Sequence, residues 1–234
     1  MPSNAAPAMA ALRAQIDSLD TELLLLMEQR LALSRSIAAA KRQEPDAPML
    51  RPDREEQVVS RLAAQATRMP EQSIAAIWRE LMSLNLQAQR RTLLVIHARK
   101  HAGEITGRAS ARFGVSVPVV HVETAAQALA KVRRSHAIAV IELDQHDGWW
   151  RELAHDPRLR IIDDLRAPGG RGSALAIAAV EDEHLPCTRR WQVIPEAELV
   201  ARLCGGEAIC PIAVAGGLRL CIAENLTWPT RAAA

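Results

Sequence analysis

Over residues 12–41 the chain reads LRAQIDSLDTELLLLMEQRLALSRSIAAAK, with no proline or glycine. Ile16, Leu19, Leu23, Met27 and Ile37 recur at the three-and-four spacing that lines apolar side chains along one stripe, which predicts a single long amphipathic helix. A polar, proline-bearing loop follows at QEPDAPML. Pro52 then sits at the first-turn position of a second helix, with Asp53, Glu55 and Glu56 suited to the positive end of its dipole. Val58, Val59 and Leu62 carry that helix on. A third begins near Pro70-Glu71 and places Ile74, Ile77, Trp78, Leu81 and Met82 on one face. The same face runs on to Asn85 and Gln89, so two amides extend an apolar stripe.

The pattern changes at Arg90-Arg91. Short apolar runs now alternate with helical stretches: strands at TLLVIHA, PVVHV and AIAVIEL, with helices over about 101–112 and 125–134 between them. Continuous apolar strands separated by helices imply a parallel sheet covered on both faces. Weaker strands follow at RIIDD, ALAIAAV and WQVI, then a helix over 196–203, then strands at ICPIAVA and LRLCIA. GGRG at 169–172 lacks a strand-to-helix context and reads as a turn. The expected organisation is multidomain: an all-helical domain at 1–91 and an α/β domain at 92–234. Three helices of such unequal length close a poor core alone, which favours a helical dimer.

Composition narrows the partners. A net charge of +2 with no basic stripe interleaved with aromatics excludes nucleic acid as the main partner. No apolar run is long enough for a membrane span. MPSNAAPAMAA has no basic region followed by an apolar core, so it reads as a frayed lead-in rather than a signal peptide. Cys187, Cys204, Cys210 and Cys221 form no C-x-x-C pair and read as buried, reduced thiols. The Asn225-Leu-Thr sequon carries no meaning without secretion. A cytoplasmic location is expected.

Charge on the first helix changes the picture most. Arg13, Arg30 and Lys41 fall on the otherwise apolar seam traced by positions 13, 16, 20, 23, 27, 30, 34, 37 and 41. An unpaired buried cation costs several kcal/mol, so such a seam should bring an anion to it. The neighbouring sequence supplies too little acid, which points to an anionic ligand. At about 1.5 Å per residue, Arg13 and Arg30 stand roughly 25 Å apart along the axis, too far to hold one small molecule. Arg30 and Lys41, roughly 16 Å apart, can nearly close on one. The simplest arrangement is a two-fold dimer in which each site borrows the other chain's Arg13.

LRAQIDSLD, then Glu28-Gln29-Arg30 with Lys41 eleven residues beyond Arg30, then Asp53-Arg54-Glu55-Glu56, then Asn85-x-x-x-Gln89 follow one another in order. Over roughly residues 10–91 this set resembles the all-helical AroQ class of chorismate mutase. Singly, each residue reads as an ordinary helix-surface or helix-end group; jointly the set is specific. The resemblance implies an intertwined helical homodimer that turns chorismate into prephenate by a one-step pericyclic rearrangement, within phenylalanine and tyrosine biosynthesis, without cofactor or metal. It implies that Arg30 and the partner subunit's Arg13 clamp the substrate carboxylates. Lys41 and Gln89 would donate to the ether oxygen, Glu55 would bind the ring hydroxyl with Arg54 beside it, and Asn85 would line the site. Two departures stand out: Asn85 replaces a frequent small hydroxyl residue, and Arg51 stands where an acid can occur.

The second half is similar to the prephenate dehydratase domain, a two-lobed α/β fold resembling periplasmic binding proteins, in a degenerate form. AVIELDQHDG matches the place of a Glu-Asn-Ser…Gly segment and Thr188-Arg189-Arg190 that of a Thr-Arg-Phe. HARKHAG, however, replaces the Gly-Pro-x-Gly-Thr-x-Ser expected after the first strand. The resemblance therefore implies a structural or regulatory domain, with an aromatic amino acid as candidate effector. A bifunctional mutase/dehydratase and a non-catalytic helical dimerisation module on a ligand-sensing domain are the alternatives.

Overall fold

The computed structural model describes residues 5–41, 50–144, 147–166, 172–186 and 189–224. The chain forms two compact units, one holding α1 and the other everything from α2 onward. In the first, α1 (Ala5–Lys41) is one uninterrupted helix of 37 residues. It starts seven residues before the expected boundary, so part of the supposed lead-in is helical. Pro7 is tolerated because the first turn has no intrahelical acceptor for its missing N–H. Leu23, Leu24, Leu25 and Leu26 are consecutive, and all four are exposed in the single chain, as are Leu12, Ile16, Leu19, Leu33 and Ile37.

The second unit opens with α2 (Pro52–Gln65) and α3 (Glu71–Gln89). Arg51, at the N-cap of α2, donates from Nε and Nη2 to the two carboxylate oxygens of Asp53 at 2.9 and 2.7 Å. The Arg51 cation is thus spent locally. There follow β1 (Leu93–His97), α4 (Ala102–Phe113), β2 (Val119–His121), α5 (Ala125–Arg134), β3 (Ala137–Glu142), β4 (Leu159–Leu165) and β5 (Ala174–Ala179). α5 keeps the bounds read from the sequence because its start is encoded locally. Thr124 and Gln127 form a reciprocal capping box.

These strands form one sheet in the order β2-β1-β3-β5-β4. β1 pairs in parallel with β2 and β3, as expected. β5 pairs antiparallel with both β3 and β4, so β4 runs with the first three strands and β5 alone runs against them. The all-parallel expectation therefore holds for β1 to β3 and fails at β5. Alternate residues feed two cores. Leu94, Ile96, Ile138 and Val140 pack with Ile105 and Ala109 of α4. Val95, Ala139 and Ile141 pack with Ala128, Leu129 and Val132 of α5 and with Trp150.

The last three strands leave this sheet altogether. β6 (Arg189–Pro195), β7 (Ile209–Ala215) and β8 (Leu218–Glu224) make a separate antiparallel sheet, order β6-β8-β7, with α6 (Glu196–Cys204) against it. Cys221 is buried there, but Cys204 and Cys210 are free and exposed, which corrects the expectation of uniformly buried thiols. Both lie where an element turns outward: Cys204 ends α6, and Cys210 lies on an exposed stretch of β7. Cys187 and Asn225 lie outside the described residues.

Candidate functional site

α1 carries three of the expected residues. Arg13 is exposed, Arg30 is partly buried and Lys41 is the last residue of the helix, its side chain outside the described residues. Partial burial lowers the Arg30 guanidinium below its ordinary pKa. Because α1 runs unbroken, the axial separations of roughly 25 Å and 16 Å hold along the real helix. Within one chain most of the apolar seam is uncovered: Ile16 is 56%, Leu23 52% and Ile37 53% exposed, although Ser34 is buried. The burial expected for the seam cations is therefore not supplied within α1.

In the second unit, α2 carries Arg54 and Glu55 and α3 carries Asn85 and Gln89. Arg54 points outward and, among the described residues, its side chain reaches Gln57 at 3.5 Å. Asn85 is buried and donates from Nδ2 to its own helix at Leu81 O, 2.7 Å away, while its Oδ1 finds no partner among the described residues. A buried amide oxygen left unpaired costs about 1–3 kcal/mol, so this acceptor is an open valence on the α3 face. Gln89 closes α3, half-buried, four residues on and hence on the same face.

Glu55 is held from two sides. Its Oε1 accepts from Arg112 Nη1 at 2.5 Å, and Arg79 Nε stands 3.4 Å from the same oxygen. Arg112 Nε also donates to Asp163. A charge ladder thus runs from α3 through α2 and α4 to β4: Arg79, Glu55, Arg112, Asp163. Arg112 is only 14% exposed. Burial alone would lower its pKa, but the charges of Glu55 and Asp163 and the hydrogen bonds to them outweigh it and hold the guanidinium above its ordinary value. The ladder borders a cleft of about 510 Å³ that Val59, Arg189 and Trp191 also line. Sequence reading missed Arg79, Arg112 and Asp163. One signal existed, because RIIDD sets two acids inside an apolar strand and acids there need a partner.

A second constellation closes the carboxyl ends of β1 and β3. Strand order reverses between them, and α/β sheets commonly open a ligand crevice at such a point. Here Glu142, at the end of β3, fills it. Its Oε2 accepts from the backbone N–H groups of Arg99 and Lys100 at 2.6 and 3.0 Å, and its Oε1 lies 2.7 Å from His101 Nδ1. Burial would raise this carboxyl; the Lys100 N–H, the His101 side chain and the Arg99 N–H together hold it below its ordinary value. Lys100 Nζ pairs with Asp144 at 2.7 Å. Gly172 seals the edge at φ +64, where an added Cβ would come within 2.9 Å of the His101 Cβ. The HARKHAG and AVIELD segments, read as degenerate cleft loops, are thus tied to each other. Thr188 lies outside the described residues, and Arg189 reaches Asp164 at 3.4 Å.

Residues 12–90 match the family model of chorismate mutase type II. That stretch takes in nearly all of α1 together with α2 and α3, about a third of the chain. It contains every residue of the expected mutase site. The α/β part from β1 onward lies beyond the matched stretch. No curated protein and no solved structure matches the chain. Among the described residues, no helix is long and apolar enough to cross a membrane.

Glu142→Ala would strand two backbone donors and His101. The expected loss is about 2–3 kcal/mol of unfolding free energy in urea titration, and a loss under about 0.5 kcal/mol would refute the plug. Acid should act in the same direction. Hydrogen bonding from Arg133, with the Arg158 contacts, lowers the Asp156 carboxyl from its ordinary 3.8 to about 2. A depressed carboxyl stabilises the fold above its unfolded pKa and loses that contribution as pH falls through the folded value. The thermal midpoint should therefore drop between about pH 4 and pH 2. Asp156→Asn should flatten that drop.

Proposed function

We propose that this chain is a chorismate mutase, converting chorismate to prephenate. The observation that carries the reading is the family match over residues 12–90, in which Arg13, Arg30, Lys41, Arg54, Glu55, Asn85 and Gln89 all fall. The rearrangement is pericyclic, with no covalent intermediate and no proton transfer, so the protein's task is to fold the substrate and meet its developing charge. Arg30 and the partner subunit's Arg13 clamp the two carboxylates, which supplies the entropy-trap part of catalysis. Lys41 and Gln89 donate to the ether oxygen as negative charge grows on it, the preorganised electrostatic part. Glu55 accepts from the ring hydroxyl, with Arg54 nearby and Asn85 lining the pocket.

The working unit is a homodimer paired through α1. Its support is the set of apolar side chains on α1 that a single chain leaves exposed, Ile16, Leu19, Leu23 and Ile37 among them. An apolar helix stripe left in water favours a covering partner, and each covered leucine contributes about 1.5–3 kcal/mol. The α/β part is structural or regulatory rather than a dehydratase, and the two separate sheets support its reading as a degenerate two-lobed domain. The plugging of its strand-end crevice by Glu142 supports the absence of dehydration chemistry there.

Purified protein incubated with chorismate and a metal chelator should produce prephenate at rates far above the uncatalysed reaction. Activity indistinguishable from the buffer blank would sink the assignment. The same incubation should yield no phenylpyruvate at neutral pH beyond the spontaneous background. Enzymatic phenylpyruvate at the pace of the mutase step would make the chain bifunctional instead.

A further inference from the structure

We propose that Arg112, on α4 of the α/β part, is a positioning residue for the mutase reaction, acting through Glu55. This rests on the reading of Glu55 as the acceptor for the ring hydroxyl. Among the described residues, the two guanidinium contacts to Glu55 fall on one oxygen, Oε1: Arg112 Nη1 at 2.5 Å and Arg79 Nε at 3.4 Å. Oε2 is left as the acceptor. A carboxylate pinned through one oxygen presents the other along a fixed direction, and a fixed acceptor pays no reorganisation when the hydroxyl arrives.

Arg112 is itself held rigid. Its Nε donates to Asp163 on β4, and its guanidinium carbon lies 5.0 Å from the centroid of the Phe113 ring. The planar fork thus joins two carboxylates from elements far apart in sequence, a geometry that lysine cannot reproduce with a single ammonium. Further packing joins the same parts. Val115 N donates to Glu80 of α3 at 2.9 Å. A Cβ on Gly114, which sits at φ +107, would come within 2.1 Å of Ser83 Oγ. The α/β part therefore supplies a cation that a matching helical domain lacking these residues would have to provide otherwise. The positive charge lining the cleft is spent on the chain's own acids, so its role is to set Glu55.

A double-mutant cycle in the full-length protein tests this. Arg112→Met should raise KM for chorismate at least tenfold with a smaller change in kcat, and Arg112→Lys should recover only part of the loss. Glu55→Gln should also be impaired, and adding Arg112→Met to it should cost less than twofold more, because nothing remains to be positioned. Equal losses from Arg112→Met in the wild-type and Glu55→Gln backgrounds would overturn the proposal, since a merely structural arginine penalises both alike. Wild-type kinetics for Arg112→Met would overturn it too. Wild-type kinetics for Glu55→Gln would remove the underlying role of Glu55 and this inference with it. An impaired Glu55→Gln beside an unimpaired Arg112→Met would strike the inference alone. Arg112→Gln, which keeps a donor within reach of Glu55, takes the place of Arg112→Met in the cycle if the methionine variant does not fold.

Discussion

Arg30→Ala is expected to lower kcat/KM for chorismate by about 10²–10³-fold, equivalent to about 2.7–4 kcal/mol of transition-state stabilisation. The physical basis is a charge-assisted, geometrically forked contact to a substrate carboxylate, which neither alanine nor water replaces. Folding should be spared. Alanine is the best helix former, and Arg30 lies in the interior of an unbroken helix, so circular dichroism and oligomeric state should stay as in the wild type. Lys41→Ala should give a loss of similar size, through the ether oxygen. These variants separate an enzyme from a non-catalytic dimerisation module. The module predicts intact assembly and no kinetic consequence, and that outcome, with both proteins folded, would reject the catalytic reading.

Mixing Arg13→Ala chains with Arg30→Ala chains should restore activity that neither has alone. In a shared-site dimer, the mixed species pairs Arg30 of the first chain with Arg13 of the second and rebuilds one of its two sites. Statistical exchange makes half of the dimers mixed, so about a quarter of wild-type sites should return. The geometric reason is the helix itself: Arg13 and Arg30 lie roughly 25 Å apart on one straight element and cannot grip the same small dianion from one chain. Subunit exchange has to be established separately, by mass spectrometry of isotope-labelled chains. If mixed dimers are present and activity stays at the level of the parent mutants, each site draws on one chain and the shared geometry is wrong.

Local pattern carried much of the fold. Residues 125–134 were legible as a helix to the residue because Thr124 and Gln127 announce its start, and the unbroken apolar run Leu94, Val95 and Ile96 already implied a strand buried on both faces. The direction of β5 was not legible. ALAIAAV reads as a buried strand whichever way it runs, and its place between β3 and β4 depends on pairing across the sheet. The fate of the conspicuous acids was hidden for the same reason. Glu55, Asp163 and Glu142 were visible as charges next to or inside apolar runs, but the cations and histidine that hold them lie between 24 and 57 residues away in the chain.

By itself the sequence determined the periodic elements, the three cations spaced along one helix, and the order of motifs that the mutase family model matches over residues 12–90. Those depend on neighbours within a turn or two, where 3.6-residue and two-residue repeats act directly on side-chain placement. Tertiary structure alone decided that β5 runs against its sheet, that Glu142 fills its own crevice, and that Arg112 of the α/β part holds Glu55. Each of these is a long-range choice, driven by the cost of leaving a buried strand edge or a buried charge without a partner, and that cost is met only once distant segments have come together.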